Sequence, residues 1–528
     1  MAHSPGHEES DNRMTQPKTA IVIGAGVAGM ATAALLAREG IRTTVVEKLP
    51  TYGGRAGNET VGGFRFDTGP SWYLMPDAFD HFFALFGKRT EDLLDLRPLT
   101  PAYRLFPEGE MPIDVTSGRT NAIELFESIE PGAGATLREY LDSAEETYDL
   151  ALEYFLYTTF RSLAPFTQIT GQYGKLARYL TEPLDRFVAS RFTDTRLRQM
   201  LTYPAVFLSS HPARTPSLYH LMSHTDLTQG VLYPQGGFAA VMDALFTLAV
   251  DQGAEFSFDT EVAAINYSGR KATGITLIDG QRHPADIIIS AADLHHTETR
   301  LLPKKKRTYD ERYFAPRDPG LGTVLVMLGV EGEIPQLAHH NLLFSREWED
   351  DFAAVFDGPV PQRPLGASRS IYVSKPSATD PGVAPAGHEN LFVLVPVAAE
   401  EAIGHGSMYR GQGSEQVERI ADAAIQQISR WCGVEGLDRR VVVKQTLGPA
   451  DFAERYHAWC GGSIGPAHTL RQSAFLRGSN KSRKLDNLYY AGATTTPGVG
   501  VPMCLISAEN VIKRLHGDTS PGALPEAL

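Results

Sequence analysis

The amino-acid sequence predicts an α/β protein built on a doubly wound parallel sheet. Three observations predict it: an apolar, β-branched run at residues 19–23, a glycine-rich turn leading into an Ala/Leu-rich helix, and a second β-branched run at residues 42–47. A strand that is apolar throughout is typical of a parallel sheet covered on both faces. A strand, a helix and a strand in such close succession form the opening unit of this kind of sheet.

Composition and charge exclude several classes of protein. The chain has 528 residues, 42% of them hydrophobic and 21% charged, so it can bury a large core and does not resemble a disordered chain. A formal net charge of -13 opposes the phosphate neutralisation on which nucleic-acid binding depends, so we expect no nucleic-acid partner. Three cysteines form no disulfide framework and favour a reducing cytoplasm. Residues 1–18 are polar without an apolar core, which indicates a disordered tail and not a signal peptide.

Two further stretches return to the strand-and-helix pattern. One begins at Tyr233 with an amphipathic helix and short strands, and the other, at residues 487–515, reads as strand, glycine-rich turn and helix. Between the three pieces lie insertions of different character, including long helical stretches at residues 137–156 and 175–192. The predicted nucleotide-binding domain comprises residues 19–75, 229–293 and 442–515, the predicted substrate domain comprises residues 76–228 and 294–441, and residues 516–528 are expected to be a tail.

The glycine-rich turn after the first strand has the spacing of a dinucleotide-binding site. Gly24, Gly26 and Gly29 fit G-x-G-x-x-G, in which the glycines permit a tight turn, close approach of a pyrophosphate and close helix packing. The amide groups and dipole of the helix N-terminus attract the anion. Glu47 ends the second strand, where a carboxylate can accept hydrogen bonds from a ribose. Glycine-rich helix starts also occur for packing alone, but the combination predicts a Rossmann-type dinucleotide site.

Two more glycine-rich motifs suggest a long cofactor held from both ends of the chain. Residues 53–55 are Gly-Gly-Arg, followed by Phe-Asp-Thr-Gly-Pro at residues 66–70. The glycine pair and the arginine offer N–H donors and a cation to phosphate or to a flavin edge, although a surface turn explains them as well. Near the C-terminus, residues 496–502 lead into the last helix, and Pro502 suits its first turn. The dipole of that helix would favour an anionic ring in front of it.

In this order the motifs resemble those of the bacterial-type phytoene desaturases (carotenoid desaturases) of the flavin amine oxidase superfamily. The resemblance runs from residue 19 to residue 514 and includes YPxGG at residues 233–237 and YxAGxxTxPGxGxP at residues 489–502. It implies FAD as cofactor, a Rossmann-type FAD-binding domain assembled from three segments, and an inserted α+β domain for substrate and membrane. The cofactor-binding residues it implies are Gly24, Ala25, Gly26, Ala28, Gly29, Glu47, Lys48, Gly53, Gly54, Arg55, Gly69, Pro70, Ser71, Val262, Gly492, Ala493, Gly500, Val501 and Met503.

The resemblance also implies a reaction and its partners. An FAD-dependent oxidoreductase of this kind introduces double bonds into phytoene or a related linear carotene, with hydride passing to flavin N5 and a proton leaving the adjacent carbon. Quinone or oxygen would accept the electrons. Because the substrate is a water-insoluble hydrocarbon, we expect a cytoplasmic protein attached peripherally to the membrane that supplies it.

Some residues have two interpretations at this stage. Residues 147–169 are rich in Tyr, Phe and Leu and could be an interfacial access surface, or equally a core helix. Asp149 and Arg161 are candidates for proton removal, although an ion pair or a surface pair explains these two residues as well. Trp72 and Tyr73 are expected to narrow the substrate tunnel if they border the flavin. The histidine pairs at residues 295–296 and 339–340 lack metal-ligand spacing, so we expect no metal.

Other functions remain open on the sequence alone. A carotenoid isomerase of the same superfamily would leave the substrate mass unchanged, and a carotenoid oxygenase would add oxygen. A prenyl-lipid carrier of the GDP dissociation inhibitor type would need no working flavin site.

Overall fold

A computed structural model of the protein describes residues 18–160 and 173–526. The expected N-terminal tail, apart from Lys18, lies outside these ranges, as does Arg161. The strands are β1 (Thr19–Ile23), β2 (Arg42–Val46), β3 (Asn58–Val61), β4 (Phe64–Asp67), β5 (Leu96–Pro98), β6 (Tyr103–Pro107), β7 (Ile113–Val115), β8 (Leu232–Pro234), β9 (Glu255–Ser257), β10 (Val262–Ser268), β11 (Lys271–Leu277), β12 (Arg282–Pro284), β13 (Ile287–Ser290), β14 (Leu321–Glu331), β15 (His340–Phe344), β16 (Ile371–Ser374), β17 (His388–Ala398), β18 (Val441–Leu447) and β19 (Leu488–Tyr490).

The helices connect and cover these strands. They are α1 (Val27–Arg38), α2 (Pro76–Ala84), α3 (Thr90–Leu93), α4 (Arg119–Ile129), α5 (Ala133–Ala151), α6 (Tyr173–Thr181), α7 (Leu184–Ala189), α8 (Thr195–Thr202), α9 (Pro204–Phe207), α10 (Phe238–Asp251), α11 (Leu294–His296), α12 (Glu311–Phe314), α13 (Trp348–Phe356), α14 (Glu415–Trp431), α15 (Leu437–Arg440), α16 (Pro449–Tyr456) and α17 (Val501–His516). Across residues 18–160 and 173–526, no helix combines the length and apolar character needed to cross a bilayer.

A parallel sheet of order β19-β13-β1-β2-β9 carries the glycine-rich turns. Its central strand β1 is buried along most of its length, and α1, α10 and α17 pack together against the sheet. The apolar run at residues 19–23 and the Ala/Leu-rich segment after the turn are a strand and a helix folded back on each other, as Ala20, Val22 and Leu36 share one core. The predicted α/β class and Rossmann-type fold are confirmed.

A second, largely antiparallel sheet has the order β18-β14-β17-β16-β15-β6-β7. Side chains of β14 alternate between its two faces, as the two-residue period of a strand requires. Val324 and Val326 pack with residues of α14, whereas Leu325 and Met327 join a different core with residues of α5 and α8. The second sheet thus has a face turned toward the helical insertion.

One helical segment of the first insertion, residues 175–192, is interrupted in the structure. The sequence predicts a continuous helix over residues 175–192, and this prediction is wrong: α6 ends at Thr181 and α7 begins at Leu184. Pro183 causes the break, because proline has no N–H to donate and disfavours the helical conformation in the residue before it.

The segment after the last helix lies against the protein. Lys513 Nζ donates hydrogen bonds to the carbonyl oxygens of Ser520 at 2.8 Å and Gly522 at 2.6 Å. Leu524 packs at the edge of the core formed by the parallel sheet and its helices. Residues 517–526 therefore do not extend away from α17, in contrast to the expected tail.

Candidate functional site

A cavity of about 510 Å³ lies where the two sheets approach each other. Ile23, Val46 and Ala491 line it at the carboxyl ends of β1, β2 and β19, and Leu325 and Phe392 line it from the second sheet. Ligands of open α/β sheets bind at the carboxyl ends of the strands. The position of the cavity is therefore the one that the fold favours for a nucleotide.

The first glycine turn is shaped by close backbone contacts. Gly24 has φ +102°, and its N–H donates to the carbonyl oxygen of Val46 at 2.8 Å. A Cβ on Gly29 would lie 1.9 Å from the carbonyl oxygen of Gly24, so only glycine lets α1 start this close to the turn. Gly26 precedes α1 and faces the cavity. The N-terminus of α1 is thereby presented to the cavity, where it can attract an anion.

The second glycine motif packs directly on the first. Gly53 N–H donates to the carbonyl oxygen of Ala25 at 2.9 Å, and a Cβ on Gly54 would lie 3.2 Å from the Cα of Gly26. The Arg55 side chain then enters the cavity wall, with its Nη2 3.9 Å from Asp293 Oδ2. Its buried Nε finds no hydrogen-bond acceptor within the described part of the chain. This arginine therefore supplies a cation whose hydrogen-bonding capacity is incompletely used.

Glu47 fixes the turn between β1 and α1. Its Oε2 accepts a hydrogen bond from the Ala25 N–H at 2.7 Å, and its Oε1 accepts one from the Leu49 N–H at 2.9 Å. Burial raises the pKa of the Glu47 carboxyl, while these backbone bonds oppose the shift. Lys48 follows in the cavity wall, and its Nζ donates to the carbonyl oxygen of Glu454 at 2.6 Å.

The C-terminal glycine turn completes the wall on the other side. Gly492 has φ +111° after β19, and Gly500 has φ +109° immediately before α17. Both lie at the cavity, and Pro502 occupies the first turn of α17, as the sequence indicates. The N-terminus of a second helix thus faces the same space as that of α1.

The structure brings the predicted cofactor-binding residues together along one cavity. All of them line it except Ala25 and Gly29, which form the turn behind its wall. Asp149 does not belong to this group. It is exposed on α5 and is absent from the cavity wall, because the same helix turns Tyr148 and Ala151 inward. The interpretation of Asp149 as a residue that removes a proton is therefore wrong. The other candidate, Arg161, lies outside the described residues.

Several cavity residues had no signal in the sequence. Rings of His296 and His457 stack with centroids 3.8 Å apart, and His457 Nε2 lies 3.2 Å from Glu261 Oε1. Tyr219 and His468 also line the cavity, from loops outside the glycine motifs. His296 ends the short helix α11, where its pairing with His295 suggests only a metal ligand, and the other three residues lie in short turns that neither periodicity nor a motif marks.

Trp72 and Tyr73, which follow the Gly-Gly-Arg and Phe-Asp-Thr-Gly-Pro motifs, lie in different environments. Trp72 lines the cavity and stacks on His340 with ring centroids 4.7 Å apart. Tyr73 is fully buried, stacks on Phe79 at 4.2 Å and forms no part of the cavity wall. Trp72 alone of the pair can therefore meet a bound molecule.

The histidine pairs make contacts of other kinds. His339 Nδ1 lies 2.8 Å from Thr379 Oγ1, and the His295 ring packs edge-on against Phe314 at 4.8 Å. Within residues 18–160 and 173–526, no group of three or more His, Cys, Asp or Glu side chains is arranged to hold a metal ion.

Comparison with known proteins identifies the family. The flavin containing amine oxidoreductase family matches residues 27–515, so the chain belongs to that family. It is an FAD-dependent oxidoreductase. Its fold is also similar to that of an oxidoreductase from Methanosarcina mazei, with a TM-score of 0.62 and 18% identity over 94% of this chain and 100% of that one.

Two relatives of similar sequence identify a narrower group within this family. It is 40% identical over 499 residues to the carotenoid 3,4-desaturase of Haloarcula japonica, covering 94% of this chain and 98% of that protein. It is 32% identical over 511 residues to the zeta-carotene-forming phytoene desaturase of Myxococcus xanthus, covering 95% and 94%. Within the flavin family it therefore belongs to the carotenoid desaturases, and the resemblance seen in the sequence is confirmed.

The residues that line the cavity fit an FAD molecule. Two helix N-termini face it, glycines replace side chains where Gly54 and Gly26 approach each other, and Arg55 has an unused donor at the wall. Amide groups and a cation suit the pyrophosphate and the flavin edge.

Proposed function

We propose that this protein uses bound FAD to introduce double bonds into a linear carotenoid that it takes from a membrane. The continuity of the cavity is the observation that carries the proposal. One space extends from the glycine turns to an apolar wall that includes Leu221, Met222, Leu325, Phe392 and Phe452. A dinucleotide at the glycine turns would therefore share this space with a hydrocarbon.

We assign the cofactor's position from the cavity wall. Gly24, Gly26 and Glu47 would hold its dinucleotide end, while Arg55 and the turn before α17 would hold its flavin end. When bound, FAD supplies the oxidising chemistry by accepting a hydride from a substrate carbon. We assign the three segments that build the parallel sheet to the FAD-binding domain and the two insertions to the substrate domain, with β18 moved to the substrate domain because it pairs with β14.

The chain's own residues would orient the substrate and exclude water. Two tyrosine hydroxyls beside the apolar wall have hydrogen-bond partners: Tyr219 Oη lies 3.1 Å from Ser473 Oγ, and Tyr372 Oη lies 2.7 Å from His340 Nδ1. Because these groups satisfy one another, a hydrocarbon can pack beside them at little desolvation cost. Trp72 adds a large flat surface against which a conjugated chain can lie.

We place the membrane contact at a surface formed by Phe160, Leu470, Phe475 and Leu476. Leu470 is 44% exposed, and Phe475 and Leu476 are each 52% exposed, which is unusual for large apolar residues so close in sequence. The rings of Phe160 and Phe475 lie 4.8 Å apart. The surface is close to the cavity, because Ser473 contacts Tyr219 and Leu156 lines the cavity four residues before Phe160. Residues 161–169 of the proposed access segment lie outside the described residues.

The function is tested by product analysis. Purified protein with FAD is incubated anaerobically with carotene-loaded liposomes and a quinone, using phytoene and a more conjugated linear carotene in parallel. We expect products that lack two hydrogens per new double bond and a matching amount of reduced quinone. An unchanged product mass would indicate an isomerase, added oxygen in an aerobic sample would indicate an oxygenase, and bound but unaltered carotene would indicate a carrier.

The membrane contact is tested by liposome flotation. We expect a variant with Leu470→Ser, Phe475→Ser and Leu476→Ser to lose most of its binding to liposomes while keeping its FAD. Met111→Ser with Ile278→Ser is the matched control, because these apolar residues are 81% and 73% exposed elsewhere on the surface. Equal flotation of the triple variant and this control would refute the assignment.

A further inference from the structure

Two segments of the chain carry a charge opposite to that of the whole protein. Residues 304–317 and 470–486 contain eleven basic and three acidic side chains, whereas the whole chain contains 49 basic and 62 acidic ones. Such a cluster creates a local positive field that attracts anions. We call nine of these side chains, all exposed or half-buried, the basic band: Lys304, Lys305, Lys306, Arg307, Arg312, Arg317, Arg471, Arg483 and Lys484.

The basic band adjoins the apolar surface that we assign to the membrane. Arg317 Nη2 donates to the carbonyl oxygen of Leu476 at 3.2 Å, and its guanidinium carbon lies 3.4 Å from the ring centroid of Tyr313. The rings of Tyr313 and Tyr309 lie 4.4 Å apart, and the guanidinium carbon of Arg483 lies 5.6 Å from the Tyr309 ring centroid. A series of direct contacts therefore leads from Leu476 of the apolar surface to Arg483.

The basic band extends in both directions from this series. Arg471 directly follows Leu470 of the apolar surface and is exposed. At the other end, the backbone N–H of Arg483 donates to Thr308 Oγ1 at 2.9 Å, which brings Arg483 beside residues 304–307. The basic band therefore starts within the apolar surface and reaches the lysine-rich turn at residues 304–307.

The three carboxylates of the two segments already have partners. Asp310 accepts hydrogen bonds from backbone N–H groups at the start of α12. Glu311 Oε2 lies 3.8 Å from His295 Nε2, and Asp486 Oδ1 lies 2.7 Å from Nη2 of Arg270, which is not a member of the band. Within the part of the chain that the structure describes, no side chain of the basic band forms an ion pair with a carboxylate. Its positive charge is therefore available to a partner.

We propose that the basic band binds the phosphate groups of anionic lipids and so directs this protein to anionic bilayers. The inference rests on the membrane contact in the proposed function. Guanidinium groups suit phosphate because they donate paired N–H bonds. The adjoining apolar side chains favour a bilayer over a nucleic acid or an acidic protein, because a bilayer offers anionic groups and hydrocarbon side by side.

The basic band also orients the protein as it approaches. Attraction between exposed charges extends over about 10 Å at about 0.1 M salt, whereas apolar side chains gain free energy only on insertion. An anionic bilayer repels the rest of this acidic protein, so the basic band turns toward it first. Leu470, Phe475 and Leu476 then face the bilayer, on the side of the protein where Ser473 contacts the cavity residue Tyr219.

The test measures flotation on liposomes of phosphatidylcholine alone and of phosphatidylcholine mixed with phosphatidylglycerol. We expect the FAD-loaded full chain to bind the anionic liposomes more tightly. Each basic residue near an anionic surface contributes about fivefold in affinity. A variant with Arg471→Gln, Arg483→Gln and Lys484→Gln should therefore bind the anionic liposomes about 100-fold more weakly. Its FAD content, its thermal midpoint and its binding to phosphatidylcholine should stay at the parent's values.

The matched control removes the same amount of charge elsewhere on the surface. It combines Lys88→Gln, Arg138→Gln and Arg439→Gln, three exposed residues outside the basic band. We expect this variant to bind both kinds of liposome like the parent. A loss of binding as large as that of the first variant would show that net charge alone is responsible, and would refute the role of the basic band.

The outcomes also separate this inference from the proposed function. A parent protein that floats with neither kind of liposome would refute the proposed membrane contact itself. A parent that floats equally with both would refute the basic band alone. A salt series on the parent requires no variant: binding to the anionic liposomes should weaken between about 0.1 M and about 1 M NaCl, as the screening length falls from about 10 Å to about 3 Å. Binding that does not change with salt would overturn the proposal.

Discussion

Replacing Gly29 by alanine should separate α1 from the turn that it covers. The added Cβ would lie 1.9 Å from the carbonyl oxygen of Gly24 and 3.0 Å from its carbonyl carbon. An ordinary contact between such atoms is about 3.5 Å, so the helix start and the turn must move apart by about 1.5 Å. The obstacle is the backbone of the turn after β1, so no side-chain rotation can relieve it.

The expected magnitude follows from two opposing effects. Alanine favours a helix over glycine by about 1 kcal/mol, whereas overpacking a rigid site costs about 1–3 kcal/mol or more. Because this contact is severe, we expect a net loss of about 2 kcal/mol in the free energy of unfolding. The displaced turn should also lose at least one hydrogen bond to the cofactor's phosphates. Such a charged bond is worth about 1.5–3 kcal/mol, which weakens FAD binding about 10- to 100-fold.

Gly174→Ala is the matched control. Gly174 also lies in a helix, α6, and a Cβ there would meet nothing within 4 Å. We expect this variant to gain up to about 1 kcal/mol and to bind FAD like the parent. The assay measures thermal midpoints and FAD dissociation constants of both variants under the same conditions. If Gly29→Ala matched Gly174→Ala in both quantities, the close approach of Gly29 to Gly24 would not be what shapes the turn.

Two further predictions concern the cavity and a buried acid. Trp72→Ala should enlarge the cavity and shift the distribution of desaturation products, measured by chromatography and mass spectrometry. The control is Trp348→Ala, which lies outside the cavity wall. It should lower the thermal midpoint but leave the product distribution unchanged. Burial raises the pKa of Asp226 from 3.8 to about 7, so the folded protein keeps this proton where the unfolded chain loses it. Stability should therefore fall relative to Asp226→Asn as the pH rises from about 4 to about 7 and then level off. A difference in thermal midpoint between the two proteins that does not vary with pH would contradict this reasoning.

Much of the site could be predicted because its parts are local motifs at the ends of parallel strands. Gly24, Gly53 and Gly492 adopt positive φ angles that side chains disfavour, so the sequence marks them. The fold then brings them together without further information, since the carboxyl ends of parallel strands meet at one edge of a sheet. Glu47 is predictable for the same reason, because it directly follows β2.

The remaining site residues depend on contacts distant in sequence. His296 and His457 stack only because the fold brings α11 beside the end of α16, and no spacing in the sequence links the two positions. The prediction for Asp149 is wrong for a simpler reason. Its charge suggested chemistry, but its neighbours Tyr148 and Ala151 are the residues that α5 buries, which turns Asp149 outward.

The position of β19 and α17 has a consequence for biosynthesis. β19 covers one edge of the parallel sheet beside β13, and the residues before and within α17 close one side of the FAD cavity. While the ribosome is still making this last stretch, a nascent chain that has already emerged has an apolar strand edge at Ile288 and Ile289 with no partner. Such an edge invites pairing with other chains. The cavity therefore closes only after residues 488–516 have been synthesised, and this edge of β13 has no strand partner until then.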